Sequence, residues 1–156
     1  FGGRDARAYC NRGANGIDGV TSTGLGVALS GQPTVVLIGD LAFTHDVNAL
    51  VGLAGRDADL RVVVVDNDGG AIFSFLPQAQ ALPNERFEQL FGTPLGGDGM
   101  ALKKAHGLTT ARVMTKEALA AWMATPGPWV VRVPSERAAN VTVHAALHAA
   151  VVGAVG

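Results

Sequence analysis

A single cysteine, Cys10, among 156 residues excludes an internal disulfide framework and fits a reducing, cytoplasmic setting. Charge is equally sparse. Only 16% of residues are charged, the net charge is −1, and there is no long basic run, so a nucleic-acid partner has no electrostatic footprint. No apolar run approaches the ~18–20 residues that cross a bilayer, and no signal-peptide pattern opens the chain, so no membrane span is expected. Internal repeats and low-complexity tracts are lacking. An initiator methionine is lacking too: the chain opens abruptly on "FGGRDARAYC". A piece of a longer polypeptide is the expectation.

What is present is a core. The length is that of one domain, and 48% of the residues are apolar, which argues against disorder. The 21 glycines are scattered singly, as turn and close-approach positions rather than a helical bundle require. Short β-branched runs alternate with alanine-rich stretches. Strands are expected at 6–10, 34–39, 61–66, 109–113 and 129–134, and helices near 18–30, 44–54, 98–106, 115–124 and 136–151. Thr115, followed by Glu117, reads as the N-cap of its helix. The runs "TVVLIG" and "RVVVVD" are apolar throughout, as parallel strands covered on both faces are. Strand alternating with helix predicts an α/β fold, a doubly wound, mostly parallel sheet flanked by helices.

Two strand ends carry the chemistry. In "LIGDLAFTHDVNAL" a buried strand closes on Gly39 and Asp40, with a helix opening around Thr44. In "VVVVDNDGGAIFSFLP" four valines run into Asp66, Asn67, Asp68, Gly69 and Gly70. Asp40 and Asn67 are 27 positions apart, about one helix and one strand, so a parallel sheet puts both on one carboxyl edge, where open α/β sheets bind ligands. With the Gly69 carbonyl they offer three hard oxygen donors suited to Mg²⁺, or to Mn²⁺, shared with a phosphate. The backbone N–H groups of Leu41 and Ala42 would take further phosphate oxygens. Segment 69–97 is long and irregular, with Pro77, Pro83 and Pro94, and such insertions are more often functional than idle.

"GDL", 25 residues and an asparagine resemble the diphosphate and Mg²⁺ motif of the thiamine-diphosphate enzymes, usually GDG followed by an Asn pair. Leu41 replaces the second glycine and Asp-Asn-Asp the pair. With "NRGANGIDG", "GGAIFSFLP" and the closing "VVRVPSERAANVTVHAALHAAV", these departures are similar to the menaquinone-pathway branch of that family. The resemblance implies a thiamine-diphosphate-binding fold, with Asp40, Asn67 and Gly69 ligating Mg²⁺ and Gly39, Leu41, Ala42 and Gly70 around the diphosphate. It implies that Ile17 props the cofactor into its bent shape, and that Ile72, Phe73 and Leu76 wall the thiazolium and substrate. Arg12 would hold a substrate carboxylate. In that branch 2-oxoglutarate is decarboxylated and the succinyl carbanion equivalent adds to isochorismate. The glutamate that activates the cofactor lies in a separate pyrimidine-binding domain of a partner subunit in a homodimer or homotetramer. No catalytic residue is therefore expected in this chain, which alone should be silent.

Other readings stay open on the residues themselves. Asp40 also suits a helix cap, and Asp66–Gly70 an ordinary turn. Ile17, Ile72, Phe73 and Leu76 suit a core as well as a cofactor wall. Asp66 and Asp68 read as loop-shaping groups, Trp122, Met123 and Trp129 as packing, and Cys10 as a buried thiol closing the first strand. Gly24 and Gly26 would let a helix approach the sheet. Of the histidines, His45 lies near the site without an assigned role, and His144 and His148 lack a third metal partner. Rival functions are a separate small subunit of a thiamine-diphosphate-dependent 2-oxo acid decarboxylase and a non-catalytic nucleotide-phosphate-binding module. Exposed apolar surface is expected around 69–91, where a partner domain would cover it.

Overall fold

A computed structural model describes residues 7–11, 15–96 and 106–155. Among them, four strands form one all-parallel sheet: β1 (Thr34–Gly39), β2 (Leu60–Asp66), β3 (Thr109–Arg112) and β4 (Trp129–Pro134), in the order β1-β2-β4-β3. The sheet is covered unequally. On one face α1 (Val20–Ala28) brings Leu25 and Ala28 onto Val36, Ile38, Leu60, Val62, Val64 and Val130. On the other, α5 (Lys116–Met123) lays Leu119, Trp122 and Met123 over Val63, Val113, Trp129 and Val131. The "VVVV" run is apolar without alternation because both faces of β2 are buried.

The edge strand β1 departs from that expectation. Val36 and Ile38 are buried, but Val35 is 46% exposed and Leu37 71%. The strand expected at 6–10 is the reason. Residues 7–10 run beside β1, lining a groove with Val35 and Leu37, yet form no ladder with it. Ala8 and Cys10 offer little apolar surface to hold such a short segment in place. Cys10 is accordingly exposed rather than a buried thiol.

The helices follow the expected places with shifted ends. The one expected over 44–54 starts instead at Asp40 as α2 (Asp40–His45), directly from the strand, and gives way to 3₁₀ turns at Val47–Leu50 and Leu53–Gly55. The helix already ends at Asp46 (φ −117°, ψ 23°), and Gly52, at φ 73°, divides the two turns. Thr115 caps α5, its hydroxyl accepting the Ala118 N–H at 3.2 Å. The helix expected near 98–106 falls outside the described residues save His106, which lies in a turn. Segment 69–96 is a chain of single turns: a 3₁₀ turn at Ala71–Phe75, α3 (Gln78–Ala81), α4 (Asn84–Phe87) and a π turn at Glu88–Gly92. Gly24 supports the close-approach reading, since a Cβ there would strike Val36; Gly26 does not, having nothing within 4 Å.

The last helix, α6 (Arg137–Val155), corrects the expectation about apolar runs. Over 18 residues its mean hydropathy is 1.5, enough by length and composition to cross a membrane, and none of that window is buried. Asn140, Thr142, His144 and His148 interrupt the run, which is why no continuous apolar stretch is visible in sequence.

Candidate functional site

The register of the sheet assembles the site. Gly39 pairs with Val65, and Asp66 with Pro134, so Asp40, the 66–70 turn and the β4–α6 junction share the carboxyl edge. Gly39 is extended (φ −78°, ψ 161°) and the chain turns helical at the next residue, which aims the start of α2 along that edge. Asp40 is only 4% exposed. Its Oδ2 accepts the Gly69 N–H at 2.6 Å, tying the two strand ends across 29 residues. Asp40 is thus not the cap of its own helix. Burial pushes its carboxyl above the ordinary aspartate value; the Gly69 N–H opposes this, and the nearby Asp66 charge adds to it.

Asn67 is the second telling group. Its Oδ1 is buried and has no hydrogen-bond partner. Buried acceptors are nearly always satisfied, so an orphan on this edge marks a candidate place for a cation. A desolvated carboxylate and an unpaired amide oxygen on one sheet edge fit a hard divalent cation, which would relieve both. Among the described residues no group of three or more His, Cys, Asp or Glu is placed to hold a metal. A cation here would therefore need carbonyl and phosphate oxygens to complete its shell. The Gly69 carbonyl lies in the same turn, where it accepts the Ala71 N–H at 3.0 Å.

The flanking aspartates shape the turn. Asp66 accepts the Asp68 N–H at 3.0 Å and is ion-paired to Arg132 at 2.5 Å, while its carbonyl takes the Ser135 N–H at 2.7 Å. Asp68 sits in the left-handed region (φ 57°) and accepts the Gly96 N–H at 3.2 Å. Gly69 and Gly70 are buried against Phe91 and Gly92, and a Cβ on either would strike a backbone oxygen. Arg132 and Gly92, which pack on this turn, carry no site role in the sequence reading; Arg132 alone gives a signal there, as an isolated charge within an apolar strand.

The apolar candidates are not core. Ile17 is 46% exposed and Ile72 69%, with Phe73, Phe75, Leu76 and Leu90 also exposed. Of the large apolar side chains of 69–96, Phe87 alone is buried, stacked on Phe91, which meets Phe73 edge-on. A greasy, open surface thus continues from the polar turn, as expected for 69–91. Leu41 and Ala42 are half-buried in the first turn of α2. His45 ends α2, exposed, while Trp122 and Trp129 pack edge-on in the second core. Arg12 lies outside the described residues.

The sequence model of the thiamine pyrophosphate enzymes' C-terminal TPP binding domain matches residues 4–133. The chain belongs to this family. It is a thiamine-diphosphate-binding domain with the parallel α/β sheet just described. Curated relatives include the 2-succinyl-5-enolpyruvyl-6-hydroxy-3-cyclohexene-1-carboxylate synthase of Bacillus cytotoxicus, 45% identical over 89% of this chain and 24% of that protein. The synthase of the same name from Myxococcus xanthus is 45% identical over 96% of this chain and 26% of its own length. That of Desulfitobacterium hafniense is 54% identical over 64% and 18%. The chain spans about a quarter of the first two relatives.

Proposed function

We propose that this chain is the diphosphate- and Mg²⁺-binding domain of a 2-succinyl-5-enolpyruvyl-6-hydroxy-3-cyclohexene-1-carboxylate synthase, a cytoplasmic transferase of menaquinone biosynthesis. The whole enzyme would join the succinyl unit of 2-oxoglutarate to isochorismate with loss of CO₂. The observation that carries the reading is the pairing of a buried Asp40 carboxylate with the orphaned Asn67 Oδ1 on one strand edge. The pyrimidine-binding and central domains, and the activating glutamate, would lie elsewhere in a longer protein that works as a homodimer or homotetramer.

Bound thiamine diphosphate supplies the electron sink for decarboxylation. This chain's residues hold and surround it. Asp40, Asn67 and the Gly69 carbonyl would ligate Mg²⁺, or Mn²⁺, in a templating role that anchors the diphosphate. Gly39, Gly70 and the Leu41 and Ala42 N–H groups would line it. Ile17 and Ile72 would press on the rings, and Phe73 and Leu76, with Arg12 for a carboxylate, would face the substrates. The exposed apolar side chains exclude water once a partner domain covers them, strengthening electrostatic contacts inside.

Calorimetry with thiamine diphosphate, with and without Mg²⁺, tests the reading. Affinity that needs Mg²⁺ and is lost in Asp40→Ala and Asn67→Ala is the expected result. Equal affinity for simple nucleotides, or binding indifferent to both substitutions, would replace it with a general phosphate-binding module. Isochorismate consumption by the complete protein separates the synthase from a 2-oxo acid decarboxylase subunit.

A further inference from the structure

Arg137, at the first turn of α6, makes a two-pronged ion pair with Glu88: Nη2 donates to Oε2 at 2.8 Å and Nη1 to Oε1 at 3.2 Å. Both side chains are largely covered, at 21% and 30% exposure. Glu88 opens the π turn, and its own carbonyl takes the Thr93 N–H at 2.7 Å, which folds Gly92 back against the pair. A Cβ on Gly92 would strike the Glu88 carboxylate and come within 2.8 Å of Arg137 Nη1. Across the turn, the Gly92 carbonyl accepts the Gly70 N–H at 2.8 Å. Gly69 and Gly70 are in turn so close to Gly92 and Phe91 that neither tolerates a Cβ. Three glycines are therefore pressed backbone on backbone, with the ion pair behind them.

The turn that carries Asn67 is thus gripped twice. Asp40 holds it through the Gly69 N–H, and Gly92 holds it through the next amide, Gly70. A part-exposed ion pair adds little to global stability, so what this pair contributes is position. Its planar, two-pronged geometry fixes where the Gly92 carbonyl stands.

We propose that Glu88 and Arg137 are positioning residues for the metal turn. The pair sets the Gly92 carbonyl, the carbonyl sets the Gly70 amide, and the amide holds Asn67 and the Gly69 carbonyl in donor geometry before a cation arrives. The two side chains are bound to each other and take no ligand role in the proposed site. The metal half of this inference rests on the proposed function; the mechanical half does not.

The test uses the full-length protein carrying this domain, with Arg137→Gln, Glu88→Gln and the conservative Arg137→Lys. In the ligand-free state, hydrogen exchange at the Gly70 amide should quicken about tenfold in the two Gln variants while Val62–Val64 keep their protection. The Mg²⁺ midpoint at fixed thiamine diphosphate should rise about tenfold, as loss of groups that orient ligands does, and Arg137→Lys should rise less. Unchanged Gly70 exchange, or a Mg²⁺ midpoint within twofold of wild type, overturns the positioning role. Wild-type protein with no Mg²⁺-dependent binding, but with Gly70 exchange still governed by Arg137, removes the cofactor reading and leaves the clamp as a mechanical device. Should Arg137→Gln loosen β2 as well, Arg137→Lys must show the Gly70 and Mg²⁺ effects with β2 intact, or the proposal fails.

Discussion

Asn67→Ala should reverse its effect on stability when ligand is added. Without ligand, wild type carries a buried acceptor that nothing satisfies. Such a group costs ~1–3 kcal/mol, and truncating a half-buried side chain loses about half of that in contacts, leaving the variant about 1 kcal/mol more stable. For a chain of 156 residues this is a rise of roughly 2–4 °C in Tm. With Mg²⁺ and thiamine diphosphate at a hundred times the wild-type Kd, wild type gains about 2.7 kcal/mol. If loss of one ligand weakens binding about a hundredfold, the variant sits near its own Kd and gains only about 0.4 kcal/mol. Wild type is then ahead by about 1.3 kcal/mol, the roughly 2.3 kcal/mol difference in ligand gain less the initial 1 kcal/mol. Thermal melts by circular dichroism, with and without the ligand pair, read both states. A variant that is less stable than wild type without ligand and equally stabilised by it would refute the reasoning, because Asn67 would then be an ordinary turn residue.

Asp40→Asn addresses the same edge through pH. The folded-state pKa of Asp40 is raised, so its contribution favours folding at low pH and is lost as pH rises through that value. Ligand-free stability should therefore decline above the ordinary aspartate range in wild type and flatten in Asp40→Asn, as urea titrations across pH would show. A decline equal in both proteins would assign it elsewhere. Mg²⁺ affinity should weaken on acidification from a higher pH than an ordinary aspartate predicts, with proton release measurable by calorimetry in two buffers. Thr21→Val should stabilise the domain by about 1 kcal/mol, because the Thr21 hydroxyl is fully buried without a partner. A loss of stability in urea melts would show that it has one. Gly24→Ala should destabilise by ~1–2 kcal/mol: the clash with stiff Val36 outweighs ~1 kcal/mol of helix propensity. A stabilised variant would mean the helix shifts freely.

What could be read in advance follows from how local each signal is. The unbroken "VVVV" run states its double burial outright, because a strand buried on one face would alternate. Likewise "GD" and "DND" announce strand ends because oxygen-bearing side chains cannot continue into a core. Their meeting needed only the parallel register, which is a global constraint with few solutions. By contrast, the strand expected at 6–10 rests on propensity, and its described residues 7–10 join no strand edge, because propensity does not report pairing. The exposure of Ile72 and Phe73 was open in the same way: residue type gives the desire for burial, not what meets it. The Glu88–Arg137 pair spans 49 positions and joins a π turn to a helix start, and no spacing rule covers such a contact. In sequence Gly92 is like any loop glycine, and only the collision of a Cβ with that pair sets it apart. The donors of a site are therefore legible where strands end, whereas the groups that hold those donors still arise from contacts between irregular segments. That division explains why substitutions far from "GDL" and "DND" in sequence, at 88, 92 and 137, should disturb the 66–70 turn as substitutions beside it do.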